Sequence, residues 1–197
     1  MFRRQIATGI FSLFVAATTY AANPFLDSAN DKPVSAQFRG TEWGEDLADD
    51  SPFSARVVTT RVAKMAWGAI FKIEFLDLKS KAAKAREIPA RYFIATDERI
   101  VLLNEEDNDA ALKKIEKMSS PPPFEPDSVY GSTKSVASRK DGPRETKIEV
   151  KGGLCTYLSS HNSGHFTKLV WKKGVGLIEY ASGYGAMADG YRLKRAK

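Results

Sequence analysis

The run LCTYLSSHNSGHFTKLVWKKGVGLIEYA, residues 154–181, holds three apolar stretches of strand length, Leu154 to Ser159, His165 to Lys172 and Val175 to Ala181. Asn162-Ser163-Gly164 and Lys173-Gly174 separate them, and glycine accepts the positive φ of a tight hairpin turn without steric cost. Strands this short, joined by turns rather than by helices, predict an antiparallel meander. The pattern extends in both directions. Gly190 to Arg195 follows as a further strand. Upstream, Val129 to Ser138 and Glu145 to Lys151 flank Lys140-Asp141-Gly142-Pro143, a strong turn signal.

The same period of two appears earlier. In Gly68 to Lys79, Phe71, Ile73 and Phe75 alternate with Lys72 and Glu74, after which Leu76 and Leu78 become the apolar positions. A phase slip of this kind predicts a bulge near Phe75. Arg91 to Ala95 and Arg99 to Leu103 predict a hairpin bending at Thr96 to Glu98. Ala111, Leu112, Ile115 and Met118 recur at helical spacing, with Asn104 placed to cap the helix, and Pro121 to Pro123 end it as a stiff spacer. The expected fold is therefore predominantly antiparallel β, or α+β by element count. It is a single curled sheet, sandwich or partial barrel with one short inserted helix.

Three segments are expected. Residues 1–21 read as a signal peptide: Arg3 and Arg4 form the basic start, Ile6 to Ala17 the apolar stretch, and Thr19 and Ala21 the small residues before the cut. That apolar run falls short of the ~20 residues that span a bilayer, so no integral membrane segment is expected after signal removal. The Arg3-Arg4 pair leaves both the general and the twin-arginine export routes open. Residues 22–54, rich in Asp, Ser, Asn and Pro, are expected as an extended N-terminal arm, and residues 55–197 as one β-rich domain. The protein is thus expected to be exported, to the periplasm or beyond the cell.

Composition narrows the chemistry. A single cysteine, Cys155, excludes a disulfide framework and every structural zinc site that needs two or more cysteines. The only histidines, His161 and His165, are four apart, but the Asn-Ser-Gly between them signals a turn, where helical chelation geometry is lost. A Cys155, His161 and His165 zinc site and a Cys155 nucleophile with a histidine base are the two chemistries these residues allow, and solvent-exposed histidines beside a packed thiol are the plainer expectation. No Gly-x-Ser-x-Gly elbow is present, and Gly174-Val175-Gly176 and Gly183-Tyr184-Gly185 do not complete a dinucleotide-binding fingerprint. No cofactor, metal or catalytic residue is assigned on this basis.

From Ser128 to Lys197 the chain carries 13 Lys and Arg against 5 Asp and Glu, although the whole chain has a net charge of only +6. The basic excess is therefore concentrated in the meander. Nucleic acid is not the expected partner of an exported chain without a basic recognition helix. The tyrosines and glycines of Tyr180 to Tyr191 make an adaptable contact surface. Tyr180, Ser182, Tyr184 and Tyr191, with Lys168, Lys172 and Lys173, are the candidate ligand-binding residues. The expected function is a non-catalytic module that binds a protein, a peptide or an anionic envelope polymer. A small exported hydrolase or thiol enzyme is the alternative.

Ser182-Gly183-Tyr184-Gly185-Ala186 resembles the loop that small exported β-barrel inhibitors of lysozyme insert into an active site. The resemblance spans these five residues and implies a lysozyme-inhibitor-like protein as a further alternative. The chain departs from that family in its greater length and single cysteine.

Overall fold

The computed structural model describes residues 23–26, 32–48, 50–82, 86–97, 99–103, 108–121, 129–132, 137–184 and 189–197. These form β1 (Val34–Trp43), β2 (Ser51–Met65), β3 (Gly68–Lys79), β4 (Arg91–Ala95), β5 (Arg99–Leu102), α1 (Asn108–Ile115), β6 (Val129–Ser132), β7 (Ala137–Asp141), β8 (Arg144–Lys151), β9 (Leu154–His161), β10 (His165–Lys172), β11 (Gly176–Tyr184) and β12 (Gly190–Arg195). Among the described residues there is one sheet, in the order β6-β5-β4-β3-β2-β1-β12-β11-β10-β9-β8-β7, and every pair in it is antiparallel. Each half is a meander of chain neighbours, and the β1–β12 pair joins the halves. This is the order of an up-and-down barrel left open between β6 and β7. The sheet curls until Cα atoms of β6 come within 8 Å of both β7 and β8. The fold is predominantly antiparallel β, and of the expected shapes it is the partial barrel.

Alternation decides what fills the interior. Cys155 and Tyr157 of β9, Leu169 and Trp171 of β10, and Tyr180 of β11 point inward to meet Phe71, Ile73, Phe75 and Phe93 from β3 and β4. Phe93 meets Trp171 edge-on at 5.5 Å, and Phe75 lies 4.5 Å from Tyr180. The two halves of the sheet thus pack on each other across a filled core. A void of only about 10 Å³ remains beside Cys155, Tyr157 and Trp171, too small for anything beyond a single water.

The expected bulge in β3 falls at Asp77, which takes φ 51°; between Ser54 and Arg56 of β2, the partner on β3 moves from Lys79 to Leu76. Helix α1 covers the outer face of β3 to β5, where Leu112 and Ile115 pack on Ile70, Ile94 and Val101 as their spacing predicts. Trp67 Nε1 donates to the Met118 carbonyl at 2.9 Å and ties down the chain just beyond the helix. Among the described residues, no helix is long and apolar enough to cross a membrane. The expected leader over 1–21, the Asn104 cap and Pro122-Pro123 lie outside the described residues.

The expected extended arm over 22–54 is corrected by the structure. Val34–Trp43 is a central strand, paired on one side with β2 and on the other with β12, and β2 already begins at Ser51. The inward positions of β1 are Val34, Ala36, Phe38, Gly40 and Glu42, of which only Phe38 is a fully buried large apolar residue, so the alternation is hard to see in composition. Gly40 is required there, because a Cβ would lie 1.8 Å from the Arg192 carbonyl oxygen.

The residues just before β1 seal one end of the barrel. Asn23 is buried; its Nδ2 donates to the Thr96 carbonyl at 2.8 Å, and its Oδ1 accepts from the Phe25 amide at 3.0 Å. The Gly174 amide donates to the Pro24 carbonyl at 2.9 Å, and Phe25 and Leu26 enter the core. The β4–β5 and β10–β11 turns hold this plug. At the opposite end the described residues border a cleft.

Candidate functional site

Moving along the inner face toward the cleft end, the side chains change character. On β9 they run Cys155, Tyr157, Ser159, His161; on β10 Trp171, Leu169, Thr167, His165; on β11 Tyr180, Ser182, Tyr184. Apolar groups give way to phenols, then to hydroxyls and imidazoles. At the mouth they border a cleft of about 310 Å³, with Arg144 from the start of β8 and Asp189 just before β12 on its rim.

Arg144 and His161 are register partners across β8 and β9. The Asn162-Ser163-Gly164 turn positions both histidines, with the Gly164 amide donating to the His161 carbonyl at 2.8 Å. The Ser163 amide donates to His161 Nδ1 at 3.1 Å, and Ser163 Oγ lies 2.6 Å from the same nitrogen. The neutral ring therefore carries its proton on Nε2. His165 stands 6.5 Å from His161 and meets the Tyr184 ring edge-on at 4.3 Å. Thr167 Oγ1 and Ser182 Oγ lie 3.4 Å apart.

Beneath this layer the phenols are locked in place. Arg91 Nε donates to the Tyr180 hydroxyl at 3.3 Å, and the Tyr180 and Tyr191 rings lie 5.8 Å apart. Burial pushes the Tyr191 phenol upward, and the neighbouring Tyr180 adds to the effect. Burial likewise raises Tyr157, against hydrogen bonds with Ser159 and Thr146. Both therefore stay neutral and able to donate.

A buried ion cluster braces the rim. Glu42 is fully buried, and its carboxylate accepts from Ser80 Oγ at 2.8 Å, the Lys81 amide at 2.7 Å and Arg86 Nε at 2.7 Å. Burial opposes its ionisation, but these hydrogen bonds and the Arg86 charge outweigh burial and hold the carboxyl below its ordinary value. Arg86 also donates to the Trp43 carbonyl at 2.8 Å and to Asp189 at 3.3 Å. The Trp43 ring lies against Gly190 and Gly183 and stacks on Phe166; a Cβ on Gly190 would come within 2.3 Å of it.

The seven candidate ligand residues do not form one site. Ser182 and Tyr184 reach the cleft. Tyr180 is buried at 0% exposure and Tyr191 lies half-buried against it, so both serve the interior. Lys168 is on the outer face, paired with Glu179 at 2.9 Å. Lys172 and Lys173 are exposed at the plugged end, the length of β10, about 23 Å, from the mouth. Gly185 and Ala186 of the inhibitor-like stretch lie outside the described residues. Arg144, His161, His165, Thr167 and Asp189 are among the cleft residues that candidate set omits. For the histidines, a signal was available, since they share the inward parity of Cys155, Tyr157 and Thr167.

Cys155 lies six residues from His161 along β9, about 20 Å, so the thiol forms no pair with either imidazole. Among the described residues, no group of three or more His, Cys, Asp or Glu is placed to hold a metal ion. Burial pushes the Cys155 thiol up to about 12. The native thiol is expected to resist a disulfide reagent at about pH 8, where thiolate is scarce, and to react once denatured. Rapid labelling of the folded protein would contradict this. Replacing Cys155 by Ser should cost about 1–3 kcal/mol through its buried hydroxyl and leave binding by the folded protein unchanged.

The chain matches no protein-family model and is similar to no curated protein.

Proposed function

We propose that the protein is an exported, non-catalytic binding module that holds its partner at the mouth of the partial barrel. One observation carries this reading: adjacent strands of one half-sheet bring Arg144, His161, His165, Ser182 and Tyr184 to a single cleft above a filled interior. A volume of about 310 Å³ is at the small end of ligand sites. It suits one protruding group of a protein, a peptide or an anionic envelope polymer rather than a large buried ligand. The export half of the proposal rests on the leader-like residues 1–21.

An immobilised-protein experiment tests the binding half. The folded chain should retain a component of its own envelope extract, and Tyr184→Ala should weaken that retention by about 1 kcal/mol or more. Its melting curve should barely move, because Tyr184 lies on the rim rather than in the core. Equal retention by the two proteins would reject the mouth as the binding surface.

A further inference from the structure

Taking the mouth as the binding site, we propose that the group it receives is an oxyanion, a carboxylate or a sulfate-like group carried by the partner. The cleft is built from donors. Arg144 supplies a guanidinium, in register with His161. With Nδ1 of His161 already taken by the Ser163 amide, the neutral ring offers Nε2–H to the cleft. His165 stands beside it, and the hydroxyls of Thr167, Ser182 and Tyr184 each bring a rotatable O–H.

One charge at the rim has the opposite sign. Asp189 accepts from Arg86 Nη1 at 3.3 Å, but Arg86 also answers the buried Glu42, so this cluster keeps one net negative charge, screened by solvent at the 74% exposed Asp189 side chain. Among the described residues, the charged and titratable groups facing the site are Arg144 from β8, His161 from β9, His165 from β10, Tyr184 from β11, and Asp189 with Arg86 behind it. A fixed positive charge beside two imidazoles and several hydroxyls complements a group that only accepts hydrogen bonds. A neutral amide or sugar would leave the Arg144 charge unmatched.

The chain has only two histidines, so two imidazole Cε1–H signals report directly on the cleft by NMR. The probes are sodium sulfate and sodium acetate at ionic strength held constant with chloride, with glucose as the neutral control. Both signals should move saturably with at least one anion and ignore glucose. Arg144→Gln should weaken binding about tenfold with an unchanged melting curve, since Arg144 is an exposed strand-end residue. A response to acetate alone assigns a carboxylate, and to sulfate alone a sulfate- or phosphate-type group. Signals unmoved at about 50 mM of either anion, or an unchanged response in Arg144→Gln, overturn the proposal. If envelope retention still depends on Tyr184 while the imidazoles ignore both anions, the oxyanion class fails and the binding module stands.

Discussion

Replacing Arg86 by Met should lower folding stability by about 3–5 kcal/mol, because it strands the fully buried carboxylate of Glu42. The Arg86 side chain is itself only 11% exposed, so solvent cannot substitute for it. The same change releases the Trp43 carbonyl and Asp189. The pH dependence carries the sharper signature. In the native protein the Glu42 carboxyl is held below its unfolded value of 4.5. Its contribution is therefore present above that value and lost as pH falls through the folded value. In the variant, burial is left with weaker opposition and the carboxyl rises. Its penalty is then greatest at neutral pH and relieved in acid, as the group takes up a proton. Urea unfolding should show the gap between the two proteins narrowing from about pH 7 to about pH 4. A loss below about 1 kcal/mol, or a gap independent of pH, would contradict the assignment of Glu42 and Arg86 as a buried pair.

Tyr180→Ala should be comparably damaging, at about 3–5 kcal/mol. The ring is fully buried, lies 4.5 Å from Phe75 and 5.8 Å from Tyr191, and its hydroxyl accepts from Arg91. Tyr180→Phe keeps the packing and loses only the polar partner, so about 1 kcal/mol is expected. The comparison with Tyr184→Ala is decisive, because the two tyrosines share parity on β11 and differ in depth. If their alanine variants melted together, the division between interior and rim would be wrong.

That division also marks where the sequence stops being readable. The meander from Glu145 to Arg195 is legible because short strands with apolar alternation at the core end recur at regular spacing and Gly or Asn marks the turns. β1 is not, since its inward set includes Gly40 and Glu42. Glu42 is tolerated only because Arg86, distant in sequence, folds back to meet it. The bulge in β3 shows as a change of phase, although its position at Asp77 depends on a backbone conformation that composition does not encode. For the site, Ser182 and Tyr184 are found from chemistry alone. Tyr180, Tyr191 and the three lysines are misplaced for a different reason: residue type suggests recognition, whereas strand parity and position along the strand decide which end and face they occupy. His161 and His165 are correctly expected beside a turn. That the turn borders a cleft depends on Arg144 and Tyr184, which other strands supply.

The pairing of β1 with β12 has a consequence for biogenesis. Each six-stranded half can be laid down hairpin by hairpin from local contacts, yet neither half can hide its concave apolar face until the other arrives. Gly190 to Arg195 is the weld between them, pairing back to Trp43 and Phe38 at the far end of the chain. Contacts of such long range make folding slow and force it to wait for the final strand. A chain interrupted before Gly190 would leave β1 and β11 as bare edges beside two uncovered faces, the state that proteases and chaperones recognise. A protected interior therefore requires β12 to be in place between the two halves.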